Sequence, residues 1–171
     1  NTPFGSKFMV PGTGFVLNNE MNDFSAKQGE PNEYGLIGFT ANEIQPHKRP
    51  LSSMSPTLIF GEERVAALGT PGGSRIITMV LLGILDFLEG NGPESWVDVP
   101  RFHHQYVPDK ISTEPDALTA QEIAALEALG HKVEVRNRRW GNMHGVMWDL
   151  KTGEVSAGSD KRSDAGKAIV K

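Results

Sequence analysis

Two adjacent glycines stand where the chain passes from a predicted strand into its clearest predicted helix. Gly72 and Gly73 can turn the backbone sharply and leave its N–H groups open to a ligand, because neither carries a side chain. The helix behind them adds the positive end of its dipole, which suits an oxyanion, a phosphate or a carboxylate. A tight strand-to-helix turn is the commoner explanation of such a pair, and the Gly-Lys-Ser/Thr of a phosphate-binding loop does not follow.

Two polar clusters elsewhere in the chain could bind charged groups. Glu20 and Asp23 lie three residues apart beside Asn side chains, and such a set can bind an ammonium group or a metal, although a solvated loop is the simpler explanation. Ser52 and Ser53 follow a Lys-Arg pair, and hydroxyls near cations can bind a carboxylate. No G-x-S-x-G or S-x-x-K pattern supports a serine nucleophile, and a plain polar turn is the simpler alternative.

His103 and His104 stand side by side, which raises the question of a metal site. Adjacent residues of a strand point to opposite faces, so they rarely share one ion. No H-E-x-x-H pattern is present. We therefore expect these side chains to pack and to form hydrogen bonds, and the sequence predicts neither a metal site nor a cofactor.

The composition is that of one globular domain, residues 1–171, long enough to bury a core. Without cysteine, disulfides and thiolate chemistry are excluded. The net charge of −4 and the lack of a basic stripe argue against a nucleic-acid partner. The longest apolar run, Ile76 to Leu85, is far shorter than the ~20 residues that span a bilayer. The chain opens on Asn1 with no leader, and we expect a processed or truncated product.

Periodicity predicts an α/β chain with antiparallel hairpins around these residues. The predicted elements are a strand at 14–17, a long ordered loop over 18–56, a hairpin at 57–60 and 64–68, helices at about 74–89 and 120–129, a strand at 131–135, and a hairpin at 146–149 and 154–157. One apolar stripe of the first helix comprises Ile77, Leu81, Leu85 and Leu88. Its neighbours widen this stripe, so we expect the helix to be buried on most sides.

In order along the chain, these signals form one pattern. Its motifs are NTPFG from Asn1, LNNEMNDFS from Leu17, RPLSSMSPT from Arg49, PGGSR from Pro71 and PRFHHQ from Pro100. The set closely resembles the small subunit of γ-glutamyltranspeptidases over nearly the whole chain. Several motifs of five or more residues recur in the right order, which makes the resemblance highly specific.

The resemblance implies an N-terminal-nucleophile hydrolase with an αββα sandwich of antiparallel sheets. In that family a precursor cuts itself, and the new N-terminal Thr of the small subunit becomes the nucleophile. The implied substrates are glutathione or other γ-glutamyl compounds, and water or an acceptor amino acid or peptide resolves the acyl-enzyme. The implied partner is the large subunit of the same precursor, and the implied location is periplasmic or extracellular.

The resemblance also implies roles for particular residues. By match with the family motifs, Asn1, Glu20 and Asp23 bind the α-amino end of the glutamyl group. Ser52 and Ser53 bind its α-carboxylate, where the family adds an Arg from the large subunit.

The other matched positions belong to the catalytic centre and its cover. The N–H groups of Gly72 and Gly73 correspond to the oxyanion hole. The segment from Pro31 to Phe39 matches the lid loop, and Tyr34 stands where some members have an aromatic gate.

Two departures from the family pattern accompany the resemblance. The catalytic Thr of the family opens the small subunit one β-hairpin before the position of Asn1, so we expect the nucleophile to lie outside this chain. Near the end, Asp160-Lys161-Arg162 replaces the usual Asp-Pro-Arg, with no clear catalytic meaning. Two alternatives stay open: a related acylase acting on glutaryl or poly-γ-glutamyl substrates, and a non-catalytic amino-acid-binding fragment.

Overall fold

The computed structural model describes residue 2 and residues 4–164 and 166–170. These residues form two compact units, 1–52 and 53–171, and each is treated by itself. A single domain over 1–171 stays a prediction. No helix within the described ranges is long and apolar enough to cross a bilayer.

The first unit contains little regular structure, as the non-periodic sequence predicts. It has two short 3₁₀ helices, Glu20–Asp23 and Thr40–Asn42. Isolated backbone bridges join Ser25 to Glu43 and Pro31 to Ile37. The strand expected at 14–17 is reduced to one bridge between Met9 and Val16. Side-chain and backbone hydrogen bonds, not a sheet, therefore hold this unit in shape.

The second unit is built on a four-stranded antiparallel sheet in the order β1-β2-β6-β7. Its strands are β1 (Thr57–Phe60), β2 (Arg64–Gly69), β6 (His144–Asp149) and β7 (Val155–Ser159). Both predicted hairpins are confirmed. A smaller sheet comprises β3 (Phe102–Gln105), β4 (Lys110–Thr113) and β5 (Val133–Val135), with β4 and β5 parallel.

Three helices accompany these strands: α1 (Ile76–Leu88), α2 (Pro93–Trp96) and α3 (Ala120–Ala128). The sequence has the spacing of a capping box at Thr119 and Glu122, and at the start of α3 these two residues form one. The core lies between the four-stranded sheet and the first two helices, where Leu68 packs with Met79 of α1. Trp96 of α2 packs edge-on against Phe87.

The prediction that α1 is buried on most sides is wrong. The buried residues of α1 are Ile76, Met79, Val80, Gly83 and Phe87. The predicted stripe is the outward face, and Ile77, Leu81, Leu85 and Leu88 are all exposed. An all-round apolar helix does not reveal which side faces the core. In α1 the side that carries Gly83 faces the core, because only a residue without a side chain fits there: a Cβ at that position would lie 2.9 Å from Leu68 Cδ1 of the sheet.

The opposite face of the four-stranded sheet is also apolar and exposed. Its exposed large residues are Leu58, Phe60, Val146, Trp148 and Val155. They fall on one face because side chains alternate along each strand and the register aligns neighbouring strands. An apolar patch of this kind marks an interaction surface.

This apolar sheet face leads to a prediction for the 171-residue chain expressed alone. The chain should self-associate, and Trp148→Lys should reduce the association because it places a charge in the middle of the face. Light scattering against concentration measures the effect. Leu129→Lys is the control, since Leu129 is also apolar and exposed but follows α3, outside the four-stranded sheet. Equal effects of the two variants would contradict a specific sheet surface.

Four buried charged side chains form an ion network beside the core. Asp160 accepts from Arg101 Nη2 at 2.7 Å and from Arg162 Nη1 at 3.2 Å. Glu114 accepts from Arg162 Nη2 at 2.7 Å. All four of these side chains are almost fully buried. Asp160 and Arg162, for which the sequence suggested no clear role, are therefore structural, whereas Lys161 between them is exposed.

Acid should weaken this network. Burial alone would raise the pKa of Asp160, but the N–H groups of Met143 and Arg162 and the charge of Arg101 outweigh burial and lower it. A lowered folded-state pKa gives stability that is fully present above the pKa of an unfolded aspartate, about 3.9. This stability is lost as the pH falls through the lower folded-state value.

The network also predicts the effect of a single substitution. Asp160→Asn should lower the free energy of unfolding by about 3–5 kcal/mol, because buried Arg101 loses its charged partner and Arg162 keeps only its pairs with Glu114 and Asp98. Asp116→Asn should cost at most about 1 kcal/mol, because Asp116 and its partner Arg139 are exposed. Urea unfolding of the complete protein at neutral pH measures both. Equal losses would show that the buried network does not carry the stability assigned to it.

Candidate functional site

The turn at Gly72-Gly73 has the geometry that a pair of backbone donors needs. The φ angles are 150° at Gly72 and 60° at Gly73, which L-residues rarely adopt. A Cβ at Gly72 would lie 2.5 Å from Met79 Cε, so the site also lacks room for a side chain. Residues Gly73–Arg75 form a 3₁₀ turn that leads directly into α1.

The N–H groups of both glycines are available to a ligand. Among the described residues neither group donates a hydrogen bond, and no side chain caps this end of the helix. Unsatisfied N–H groups at the start of a helix attract negative charge, because the helix dipole adds to their own. Gly72 itself is exposed. The turn can therefore receive an anionic oxygen.

The two predicted carboxylates lie together in the first unit. Glu20 and Asp23 occupy the same 3₁₀ turn. Burial raises the pKa of Asp23, and a hydrogen bond with Glu20 and the charge of that carboxylate raise it further. Anionic acceptors that lie together in this way can bind an ammonium group or another cation. The described residues contain no cluster of three or more side chains that could hold a metal ion.

Tyr34 also lies close to this acidic pair. Partial burial raises the pKa of its hydroxyl, and the charges of Asp23, Glu33 and Glu20 raise it further. The loop that carries it is ordered by Asn32, whose Oδ1 accepts from the N–H groups of Tyr34 and Leu36 at 3.0 Å each. The role of Tyr34 as an aromatic gate stays a prediction.

Asn42 is a residue that the sequence analysis missed. Its Nδ2 donates to the carbonyl oxygen of Asp23 at 2.8 Å, and its Oδ1 accepts from the N–H of Leu51 at 2.8 Å. The side chain thus ties the acidic turn to the residue that precedes Ser52. Nothing in the local sequence distinguishes Asn42 from other loop asparagines, and only its two partners, distant along the chain, reveal it.

The remaining predicted site residues are Ser52, Ser53 and Asn1. Ser52 is the last residue of the first unit and is exposed, whereas Ser53 opens the second unit and is half-buried. The carbonyl oxygen of Ser53 accepts from Ser55 Oγ at 3.1 Å. Asn1 lies outside the described residues. The roles assigned to all these residues by resemblance remain predictions.

The two adjacent histidines behave as expected for neighbours on a strand. In β3, His103 is buried and His104 is exposed, so the two point to opposite faces. The Nδ1 of His103 lies 2.9 Å from Thr78 Oγ1, and its Nε2 lies 2.9 Å from Gln105 Oε1. Burial lowers the pKa of His103. Packing and hydrogen bonding are thus confirmed for this residue.

Comparison with known proteins assigns the chain to a family. A family model described as Gamma-glutamyltranspeptidase matches residues 1–170. The glutathione hydrolase proenzyme of Escherichia coli (strain K12) is 42% identical over 165 residues, which make up 95% of this chain and 28% of that protein. The corresponding proenzyme of Pseudomonas sp. (strain A14) is 48% identical over 134 residues, or 77% of this chain and 23% of that protein. The chain spans about a quarter of the length of these relatives.

A solved structure supports the same assignment. The T380A mutant of Helicobacter pylori γ-glutamyltranspeptidase matches with a TM-score of 0.88 and 40% identity, covering 95% of this chain and 89% of that one. The fold is part of the αββα sandwich of N-terminal-nucleophile hydrolases, and the chain contributes an antiparallel sheet with α1 and α2 on one face. On this evidence the chain belongs to the γ-glutamyltranspeptidase family.

Proposed function

We propose that this chain is the glutamyl-binding and oxyanion-binding part of a γ-glutamyltransferase, or glutathione hydrolase, that works through an acyl-enzyme. The observation that carries the proposal is the pair of open N–H groups at Gly72-Gly73, at the start of a helix. Acyl transfer places a full negative charge on the former carbonyl oxygen, and two fixed N–H donors stabilise that charge.

The proposed reaction begins with attack on the γ-carbonyl carbon by the oxygen of an N-terminal Thr outside these 171 residues. The carbonyl becomes an oxyanion that accepts from Gly72 N–H and Gly73 N–H. The C–N bond then breaks, and the amine leaves with the proton that the threonine gave up. Water or an acceptor amine then attacks the resulting ester, and the threonine oxygen is released with a proton that the incoming water or amine gives up.

Substrate selection is proposed to rest on the ends of the glutamyl group. Asn1, Glu20 and Asp23 would accept hydrogen bonds from the α-ammonium, and Ser52 and Ser53 would donate to the α-carboxylate. The placement of Glu20 and Asp23 in one 3₁₀ turn supports this, because an ammonium ion binds to anionic acceptors. A glutaryl group has no ammonium, and a site for it would gain nothing from the pair.

The proposed partner is the large subunit of the same self-cleaving precursor, in the periplasm or outside the cell as the family resemblance implies. The exposed apolar face of the four-stranded sheet supports such a partner, since a sandwich buries that face against a second sheet. The decisive experiment is turnover by the complete protein. It should release nitroaniline from a γ-glutamyl anilide, and a correctly processed protein that releases none would refute the proposal.

Removing the charge of Asp23 should weaken the binding only of substrates that carry an α-amino group. In the complete protein, Asp23→Asn should raise KM for a γ-glutamyl anilide roughly a hundredfold, because a bound ammonium loses a charged partner. KM for the matching glutaryl anilide should hardly change. Glu33→Gln is the control, because it removes a nearby exposed carboxylate that has no assigned substrate contact. Parallel losses on both anilides would rule out recognition of the amino group by Asp23.

The contacts of Asn42 lead to a separate prediction. Asn42→Ala should raise KM for the γ-glutamyl anilide roughly tenfold, because the acidic turn and the segment before Ser52 lose their shared tether. The value of kcat per active site should stay within about twofold, since this residue does not touch the reacting carbonyl. Asn22→Ala is the control, because its amide makes one long bond, 3.4 Å, to an exposed carboxylate. A fall in kcat with unchanged KM would contradict the tether.

A further inference from the structure

Thr70 occupies the position between the end of β2 and the Gly72-Gly73 turn. It is buried, and its hydroxyl makes two hydrogen bonds. Thr70 Oγ1 donates to the carbonyl oxygen of Pro71 at 2.9 Å and accepts from the N–H of Asn142 at 3.2 Å. One hydroxyl therefore joins the turn to a segment more than seventy residues away, residues 140–143, which we call the support loop.

The support loop is anchored at both ends to the buried ion network. At one end, Trp140 N–H donates to Glu114 Oε1 at 2.9 Å, and the Trp140 carbonyl oxygen accepts from Arg101 Nη1. At the other end, Met143 N–H donates to Asp160 Oδ2 at 2.9 Å. Asn142, the contact of Thr70, lies between these anchors. The hydroxyl of Thr70 thus connects the glycine turn to a part of the protein that is held by charged groups.

Met79 provides a second contact between the turn and the support loop. A Cβ added to Gly72 would lie 2.5 Å from Met79 Cε, and a Cβ added to Gly141 would lie 2.6 Å from Met79 Sδ. The side chain is 1% exposed and therefore fixed by its surroundings. It packs against both glycines at once, and packing of this kind resists movement of the turn toward the support loop.

We infer that Thr70 is a positioning residue for the oxyanion-binding turn, with the support loop and its ion network as the fixed frame. The inference rests on the oxyanion role proposed above. Oxyanion donors act only when they are held within about 0.5 Å of the productive geometry. Gly72 and Gly73 cannot secure this themselves, because glycine is the most flexible residue. Thr70 supplies the restraint without touching the substrate.

The test compares two buried threonines in the complete protein. Thr70→Val keeps the side-chain shape but removes the hydroxyl. Thr113→Val is the matched control, because Thr113 is also buried and its Oγ1 donates at 3.0 Å to the backbone carbonyl oxygen of Glu114, not to the carboxylate of the ion network. Among the described residues this hydroxyl makes no hydrogen bond to the turn or to the support loop. Thr70→Ser is the rescue variant, since it restores the hydroxyl. Rates are expressed per active site, counted with an irreversible γ-glutamyl analogue.

A tetrahedral γ-boronate analogue of glutamate and glutamate itself serve as the two probes. Thr70→Val should lower kcat roughly tenfold and weaken boronate binding by a similar factor, because only the tetrahedral species uses the N–H donors. Glutamate affinity should change less than about twofold, and Thr70→Ser should recover most of the loss. Thr113→Val should lower the unfolding temperature without affecting the ratio of boronate to glutamate affinity.

Three results would overturn the inference while leaving the proposed function intact. The first is a folded Thr70→Val protein with normal kcat and normal boronate affinity. The second is an equal change in boronate and glutamate binding by Thr70→Val, and the third is an equal change of kcat and boronate binding in Thr113→Val, since both indicate a general loss of structure. An unmodified protein that fails to turn over γ-glutamyl anilide would instead remove the proposed function, and the inference with it.

Discussion

The second unit depends on charges that its core has to accommodate. Two arginines and two carboxylates are buried together, with side chains from Arg101, Glu114, Asp160 and Arg162. Desolvation of each charge is costly, so the set is stable only if every charge has partners. The set is neutral as a whole, and its members also bind backbone groups: Arg101 Nη2 donates to the Val97 carbonyl oxygen at 2.9 Å. Stability in this region therefore comes with a strict geometry.

That geometry extends to the elements around the network. Backbone groups of the support loop form hydrogen bonds with carboxylates and guanidinium groups of the network. The loop also contacts Thr70 and Met79, which lie beside the glycine turn. An apolar core of the same volume would pack equally tightly but would not fix the direction of individual N–H groups. Directional hydrogen bonds from buried charges do fix them. This explains why a turn of two glycines can hold a defined geometry.

Much of the fold could be predicted because interactions between residues close together in the sequence determine it. Strand-forming runs on either side of a short turn predicted both hairpins of the four-stranded sheet, and capping chemistry predicted the start of α3. The strands β3 and β4 could not be found in this way, since most of their buried positions are polar, among them His103 and Ser112. The buried face of α1 was also unpredictable, because an apolar helix has no polar side to mark the solvent. Both the strands and the buried face of α1 are determined by contacts with residues far away in the sequence, and the sequence alone does not show these contacts.

The candidate site shows the same contrast between residues that local sequence reveals and residues that only distant contacts reveal. Its ligand-facing residues are recognisable by type, since carboxylates, hydroxyls and paired glycines each have a chemistry of their own. Its supporting residues are not, because Asn42 and Thr70 are ordinary polar residues whose importance comes only from what they join. The two units hold their candidate site residues in place by different side chains. In the irregular unit, an amide side chain ties together segments that no sheet connects. In the sheet-containing unit, a hydroxyl ties a flexible turn to a charged frame. In both, the recognition chemistry is local, whereas its alignment depends on contacts between distant parts of the sequence.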